Sequence, residues 1–128
     1  MTVQCGAASY DLDILQGSDI AVFRWIGPIT LEDRRRNASR MTEFCRKRGV
    51  RRIIVDGREQ QSETDIMDSY EFGAEVPTQM PGLTLAIVHR PDDESLKFIE
   101  TVAYNRGSRT RAFQDFEAAR AWLESLEE

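Results

Sequence analysis

The fold class is decided by the stretch Arg52-Ile-Ile-Val-Asp56, a short β-branched run expected to form a buried strand. Upstream, Ile20-Ala-Val-Phe-Arg-Trp-Ile26 is apolar on both alternating faces apart from Arg24, so it should also lie inside a sheet. A helix is predicted between these strands, from about Leu31 to Arg48. Because two parallel strands need a crossover connection, this order predicts a parallel pair.

The neighbouring segments extend this unit in both directions. Tyr10-Asp-Leu-Asp-Ile-Leu15 alternates apolar and polar residues, and the turn residues 16–19 join it to the next strand as a hairpin. Downstream, the pattern predicts strands at Leu83–Val88 and Arg109–Phe113, each followed by a helix. The expected fold is therefore α/β, a single mixed sheet of five strands packed with four helices in the order ββαβαβαβα.

Local capping signals set the predicted helix ends. Thr30-Leu-Glu-Asp33 has the spacing of a capping box, and Gly49 ends the same helix. Ser62-Glu-Thr-Asp65 is a second candidate box, starting a helix through about Glu75 that Pro77 stops. Ile66, Tyr70 and Ala74 share one apolar face of this helix. The last two helices are predicted from about Glu94 to Arg106 and after the Asp115 cap.

Length and composition indicate one small domain. The chain has 128 residues, of which 41% are apolar, so it can bury a single core but not a deep, multi-layered active site. We expect one domain over 1–128, with residues 1–8 as a loose N-terminal arm. This size favours a binding module over a catalyst.

The net charge of −5 hides a strong asymmetry. The window 34–58 holds ten Arg and Lys residues against Glu43 and Asp56, a net of +8, so the remainder carries −13. A chain that is acidic overall is not expected to bind nucleic acid, and no aromatic residues alternate with the arginines as single-strand stacking requires. The local basic excess favours an acidic protein partner.

The cysteine and histidine content predicts neither a metal site nor a cofactor. Cys5 and Cys45 lie far apart in sequence with no second thiol nearby, and His89 is the only histidine. No apolar stretch is long enough to span a bilayer, and no signal peptide is evident. We therefore expect a cytoplasmic protein with free thiols.

Several motifs together resemble the STAS domain family, specifically its stand-alone bacterial SpoIIAA-like members. The likeness covers nearly the whole chain from Tyr10 onward. The stretches that carry it are Gly27-Pro-Ile-Thr-Leu-Glu-Asp33, Ile54-Val-Asp-Gly-Arg58, Val102-Ala-Tyr-Asn-Arg-Gly107, Arg111-Ala-Phe-Gln-Asp-Phe-Glu-Ala118 and Ala121-Trp-Leu123. The resemblance implies a regulatory module that binds other proteins.

The resemblance also implies two features of function. In signalling members, a Ser or Thr in an Asp-Ser-Ser-Gly-like loop before the second helix is phosphorylated by a partner kinase. Ser62 and Thr64 stand at about that place, although the motif itself is absent and either residue also suits a helix cap. The stand-alone group shares its architecture with small lipid-binding Sec14-like modules, which implies an apolar ligand cleft as an alternative.

Four polar residues follow the parallel strands and form a candidate rim: Asp56, Arg58, His89 and Arg90. In open α/β sheets, ligands bind beyond the carboxyl ends of the strands. The two arginines and the helix N-termini could hold a small anion or an acidic peptide there. The alternative is a solvated rim in which Asp56 and Arg58 pair locally. No nucleophile motif accompanies His89, so no catalytic residue is predicted.

The first helix carries a candidate basic face made of Arg34, Arg35, Arg36 and Arg40. Two interpretations of this basic face are open: an ordinary solvated helix surface, or a contact surface for an acidic protein. That protein could be a second copy of the chain, which would make a homodimer electrostatically self-complementary.

The sequence thus predicts a non-enzymatic STAS-like protein-binding module acting through the segment 56–64 and the helix that follows. The competing hypothesis is a carrier of a lipid-like or anionic small ligand, with a pocket near the carboxyl ends of the parallel strands.

Overall fold

The computed structural model describes residues 1–62 and 65–126, and of Ser62 only the backbone. The described chain forms six strands and four helices. In chain order they are β1 (Thr2–Cys5), β2 (Ala8–Ile14), β3 (Ile20–Ile29), α1 (Leu31–Arg48), β4 (Arg52–Ser62), α2 (Ile66–Gln79), β5 (Thr84–Val88), α3 (Glu94–Asn105), β6 (Arg109–Phe113) and α4 (Phe116–Ser125).

The strands form one mixed sheet whose spatial order follows the sequence from β1 to β6. Short turns join β1 to β2 and β2 to β3, and these pairs are antiparallel. A helix separates each later pair of strands, and all of these pairs are parallel. The α/β architecture and the parallel pairing predicted around Arg52–Asp56 are confirmed.

The sheet has one strand more than predicted, because residues 2–5 are not a loose arm. Thr2 pairs with Asp11 and Cys5 pairs with Ala8, with Gly6 at a φ of 64° in the turn between the strands. Val3 packs against the main core, and the side chain of Cys5 is buried. A four-residue strand is too short to show a hydrophobic period, so its pairing could not be read locally.

The helices cover both faces of the sheet. Residues of α1, α2 and α3 share the larger core with one face, around Tyr10, Phe23 and Trp25, whose rings lie within 5.4 Å of one another. On the other face α4 contacts β4, β5 and β6, and its Leu123 packs with Ile54. The β-branched strand that decides the fold is therefore buried on both sides.

The predicted capping box of α1 is present. The Thr30 hydroxyl accepts a hydrogen bond from the Asp33 amide, and the Asp33 carboxylate accepts one from the Thr30 amide. Gly49 ends the helix at a φ of 66°, in the left-handed region that glycine tolerates. The predicted bounds, Leu31 and Arg48, are confirmed.

Helix α2 differs from its prediction at both ends. Asp65 is its N-cap and accepts a hydrogen bond from the Asp68 amide, so the helix begins after the box predicted from Ser62. Pro77 lies inside the helix, which continues to Gln79. Proline lacks the amide proton for one backbone hydrogen bond of the helix. Because Pro77 lies in the last turn of α2, this loss leaves the rest of the helix intact.

The buried face of α2 is also different. Ser69, Phe72, Gly73 and Val76 face the core, whereas Ile66 and Tyr70 are exposed. A Cβ placed on Gly73 would lie 2.8 Å from the Val102 Cβ and 2.9 Å from the Ile99 carbonyl oxygen. The missing side chain therefore sets how closely α2 and α3 approach.

Replacing Gly73 with alanine should destabilise the protein by about 1–3 kcal/mol, because the overlap with α3 outweighs the better helix propensity of alanine. Urea unfolding followed by circular dichroism measures the change. The control is Ser39→Ala on the exposed face of α1, which should shift stability by no more than about 0.5 kcal/mol. A Gly73→Ala protein as stable as the parent would contradict this packing.

Candidate functional site

Strand β4 continues past the end of β5, and this extension builds the candidate site. Residues 57–61, which lie beyond the predicted strand Arg52–Asp56, are also strand and pair with β3 out to Ile29 and Ser62 after a bulge between Arg24 and Ile26. The pairing of β4 with β5 stops at Asp56 and Val88. Beyond Asp56, β4 therefore has a strand on one side only.

Arg90 takes the place of the missing strand. Its Nη1 donates to the carbonyl oxygens of Arg58 at 2.8 Å and Gln60 at 2.7 Å. Its Nε also donates to Asp92 at 3.2 Å. These bonds satisfy carbonyls that a longer β5 would have paired, so Arg90 serves the structure of the extension.

Asp56 holds two arginines on the α4 face of the sheet. Its carboxylate is buried and accepts hydrogen bonds from Arg58 Nη2 at 2.8 Å and Arg58 Nε at 3.0 Å. It also accepts the Arg58 amide at 3.1 Å and Arg24 Nε at 3.2 Å. Asp56 and Arg58 thus pair locally, which was the alternative to a ligand-binding rim.

This pairing fixes the ionisation of Asp56. Burial by itself raises the pKa of the carboxyl group, but the hydrogen bonds from the side chain and amide of Arg58, its charge and the hydrogen bond from Arg24 together outweigh burial. The pKa of Asp56 therefore lies below its ordinary value. The carboxylate stays charged and holds both guanidinium groups near β4.

A buried polar chain lies on the opposite face of the extension. Gln60 is fully buried; its amide donates to Asp93 at 3.2 Å, and its oxygen accepts from Arg34 Nη2 at 3.3 Å. Asp93 caps α3 by accepting from the Ser95 amide at 3.1 Å. Sequence reasoning missed the link between Gln60 and Asp93, because no local pattern reveals that β4 continues past Asp56.

His89 lies apart from the Asp56 pair. Its Nδ1 is 2.8 Å from the Arg90 carbonyl oxygen, so Nδ1 carries the proton when it donates to that oxygen. Among residues 1–62 and 65–126, the hydrogen-bond partner of His89 Nδ1 is this backbone carbonyl and not a carboxylate or a hydroxyl. The geometry of a general base held by an acidic partner is not formed.

The helix N-termini that were candidate anion sites are already filled. Each described helix has an acidic side chain of this chain bonded to a backbone amide at its first turn: Asp33, Asp65, Asp93 and Asp115. An external anion would have to displace a carboxylate to reach those amides. Arg58 and Arg90, the other predicted anion ligands, are bonded to Asp56, to Asp92 and to the backbone of β4.

The four arginines of the predicted basic face do not share one surface. Arg34 is buried, and burial lowers its pKa to about 10. Arg35 donates to both Glu75 carboxylate oxygens, at 2.7 and 3.0 Å, and to Glu71 at 3.3 Å. Arg36 and Arg40 are exposed, and Arg40 donates to the Asn37 side chain. The exposed remainder of the face is thus Arg36 and Arg40.

The predicted phosphoacceptors lie where β4 leads into α2. Ser62 is the last residue of β4 and pairs with Ile29. Thr64 lies outside the described residues. Both remain predictions.

Sequence reasoning missed an exposed apolar patch directly after this segment. The first turns of α2 present Ile66, Met67 and Tyr70, which are 69%, 60% and 39% exposed. We call these three residues the α2 patch. The sequence predicts Ile66 and Tyr70 on one apolar face of the helix, which would normally pack in the core. In the structure, Phe72 and Val76 occupy the core instead. Tyr70 is held by Arg106, whose Nη2 donates to its hydroxyl at 2.7 Å.

A groove of about 490 Å³ joins the α2 patch to α3. Ile66 and Ser69 line it from α2, and Phe98 and Thr101 line it from α3. Its walls are mostly apolar, and its mouth carries Asp65 and Glu94. The groove is open to solvent.

Within the part of the chain that the structure describes, no group of three His, Cys, Asp or Glu residues could hold a metal ion. Cys5 and Cys45 are free and buried. Burial raises the pKa of both thiols, that of Cys45 to about 11, so neither has the character of a reactive nucleophile. No described helix is both long and apolar enough to cross a bilayer.

Comparison with known proteins supports the fold and leaves the function open. No family model matches the chain, and no curated protein matches it. Among solved structures, an uncharacterized DUF3478 family protein with a SpoIIAA-like fold from Shewanella loihica PV-4 is similar, with a TM-score of 0.56 and 17% identity. That likeness covers 96% of this chain and 98% of the other.

The anti-sigma factor antagonist SpoIIAA in its unphosphorylated form is also similar, with a TM-score of 0.54 and 12% identity over 91% of this chain and 99% of that one. The chain therefore has the SpoIIAA-like fold that its sequence resemblance implied. At these identities the likeness concerns the fold alone.

The Asp56 pair predicts a pH dependence of stability. A carboxyl group whose pKa is lowered on folding contributes its full stabilisation above its unfolded pKa of about 4 and loses it as the pH falls through the folded pKa. Asp56→Asn should therefore destabilise the protein at neutral pH, and its deficit relative to the parent should shrink below about pH 4.

Urea unfolding at a series of pH values measures this deficit. The control is Asp19→Asn, whose side chain is 65% exposed and should change stability little at any pH. A deficit that does not change with pH would show that the Asp56 carboxylate is not held in its charged form.

Proposed function

We propose that this chain is a non-enzymatic regulatory module that binds a partner protein through the α2 patch and the adjoining groove. The observation that carries the proposal is the exposure of Ile66, Met67 and Tyr70 on consecutive turns of one helix. Large apolar side chains scattered singly are normal on a surface, but a contiguous group beside a groove is typical of an interaction site.

The composition of the α2 patch supports this reading. Tyrosine and methionine are enriched at protein interfaces. The tyrosine ring buries a large area with few rotatable bonds, and the flexible methionine side chain adapts to the shape of a partner. The hydrogen bond from Arg106 holds the Tyr70 ring in one orientation before any partner arrives. A pre-ordered anchor lowers the entropic cost of binding.

The position of the patch gives further support. It follows the segment 56–64, which the sequence predicts to act with the next helix in partner binding. The solved SpoIIAA is described as an anti-sigma factor antagonist, a protein that acts on other proteins, and it shares this fold. We extend a regulatory protein-binding role to this chain as a proposal, with the cytoplasm as its location.

The site at the carboxyl ends of the strands does not favour catalysis or anion binding. His89 is bonded to a backbone carbonyl, and the arginines of the rim are held by Asp56, Asp92 and the backbone of β4. These observations support protein binding over the alternative of a small-ligand carrier. That alternative would use the open grooves near His89 or between α2 and α3.

The expected acidic partner or second copy would use what remains of the basic face on α1. Arg36 and Arg40 are exposed there, whereas Arg34 is buried and Arg35 is paired with Glu71 and Glu75. A homodimer through this face stays a prediction, and so does phosphorylation of Ser62 or Thr64. A phosphate on either residue would add about two negative charges shortly before α2 in sequence.

Replacing Ile66 and Met67 together with serine should remove partner binding while leaving the fold intact, because both side chains are mostly exposed. Cross-linking in the native cells, followed by quantitative mass spectrometry, should show a partner cross-linked to the parent that falls at least about tenfold in the variant. The matched control is Tyr104→Ser, which removes another exposed residue, 66% accessible, from α3. Equal cross-linking in parent and variant would place the interface elsewhere.

Native mass spectrometry of the protein isolated from its own cells separates the remaining alternatives. The proposal expects a mass with no bound small molecule. A stoichiometric organic ligand would favour the carrier, a doubled mass would establish the homodimer, and a mass increase of one phosphate would support Ser62 or Thr64 as an acceptor.

A further inference from the structure

The charge around the α2 patch is negative. Asp65 and Glu94 line the groove beside Ile66, and Asp68 lies on the first turn of α2. Among residues 1–62 and 65–126, no lysine or arginine forms an ion pair with any of these three carboxylates. The sequence adds Glu63 immediately before them.

The cations nearest the patch are held by other groups of the same chain. Arg35 forms ion pairs with Glu75 at 2.7 Å and Glu71 at 3.3 Å. Lys97 lines the groove but lies 3.4 Å from Glu100. Arg106 stands at the far end of the patch, bonded to the Tyr70 hydroxyl. At the starts of α2 and α3 the groove is therefore lined by two carboxylates, Asp65 and Glu94, and by one lysine, Lys97, which is paired with Glu100. Its net charge is negative.

At the α2 patch the charge favours a basic partner, whereas the acidic partner predicted from the sequence concerns the basic face of α1. The window 34–58 carries +8, but in the folded chain several of its arginines are buried or form ion pairs with acidic residues of the same chain. Arg34 is buried, Arg58 is bonded to Asp56, and Arg46 is bonded to Glu43 at 2.6 Å. The apolar surface open to a partner lies instead among acidic side chains.

The shape of the surface indicates what kind of segment fits. The groove runs between two neighbouring helices, with the apolar side chain of Ile66 on one wall and that of Phe98 on the other. Tyr70 is exposed on the next turn of α2. A groove of this kind accepts the apolar face of an amphipathic helix. An anionic membrane surface would be repelled by Asp65, Asp68 and Glu94.

Resting on the proposed function, we propose that the partner of the α2 patch presents a basic amphipathic helix, whose apolar face enters the groove and whose lysines or arginines meet Asp65, Asp68 and Glu94. Attraction of this kind speeds encounter and fixes the orientation of the bound helix, and it weakens as salt is added.

Two synthetic 18-residue helical peptides test the sign of the charge. Both carry the same leucine face, and the opposite face is all lysine in one and all glutamate in the other. Fluorescence anisotropy should show that the lysine peptide binds at least about tenfold more tightly at low salt, with the difference shrinking as salt rises. Equal binding, or tighter binding of the glutamate peptide, would overturn the inference.

Paired variants test the site. Asp68→Asn with Glu94→Gln should weaken the lysine peptide by about threefold to tenfold at low salt. The charge-matched control is Glu117→Gln with Glu124→Gln on α4, where both carboxylates are exposed, and it should leave binding unchanged. A loss that is equal in the two pairs would show attraction to net charge alone and would contradict the assigned surface.

Amide chemical-shift mapping separates the two proposals. Shifts confined to α2 and α3 with the lysine peptide support both. Shifts in α2 and α3 with the glutamate peptide alone would overturn the proposal of a basic partner but would support docking at the α2 patch. No shift in α2 with either peptide overturns both, as does binding of phosphatidylserine vesicles at α2, because a membrane would then be the occupant.

Discussion

The strand β4 imposes the constraint on which the rest of the structure depends. It is buried on both faces and paired on both sides as far as Asp56, and then it continues with β3 alone. Beyond Asp56, carbonyl oxygens on the side of β4 that lacks a strand need other partners, and Arg90 donates to those of Arg58 and Gln60. A side chain from the end of β5 thus completes the sheet where the strand itself stops.

The two faces of the β4 extension are stabilised by different chemistry. On the α4 face, Asp56 binds Arg24 and Arg58, whose guanidinium groups reach partly into solvent. On the other face, Gln60 links the buried Arg34 to the cap of α3 at Asp93. Residues that could have formed one ligand site are therefore divided between two sides of the sheet. The polar side chains at this edge are bonded to one another and to the backbone of β4, and the exposed apolar side chains of α2 lie outside this network.

The same arrangement explains the distribution of charge. Several arginines of the basic window 34–58 are buried or pair with acidic residues of other elements. Arg35 of α1, for example, forms ion pairs with Glu71 and Glu75 of α2. Helices α2 and α3 approach closely at Gly73, whereas Ile66 and Met67 at the start of α2 are exposed beside the acidic residues of that turn. The side chains beside the α2 patch, Asp65, Asp68 and Glu94, are consequently acidic, although the segment 34–58 that precedes the patch in sequence is the most basic of the chain.

The sequence by itself determined the features that depend on neighbours along the chain. The α/β order, the parallel pairing around Arg52–Asp56 and the bounds of α1 follow from hydrophobic period and from the Thr30 and Gly49 caps. It also anticipated the local Asp56 and Arg58 pair, since those residues are two apart. Only the tertiary structure decided that residues 2–5 form a strand, that β4 outruns β5, that Arg34 is buried and that Ile66 and Tyr70 face outward. Each of these depends on contacts between residues distant in sequence, where competition for burial and for hydrogen-bond partners overrides local preference.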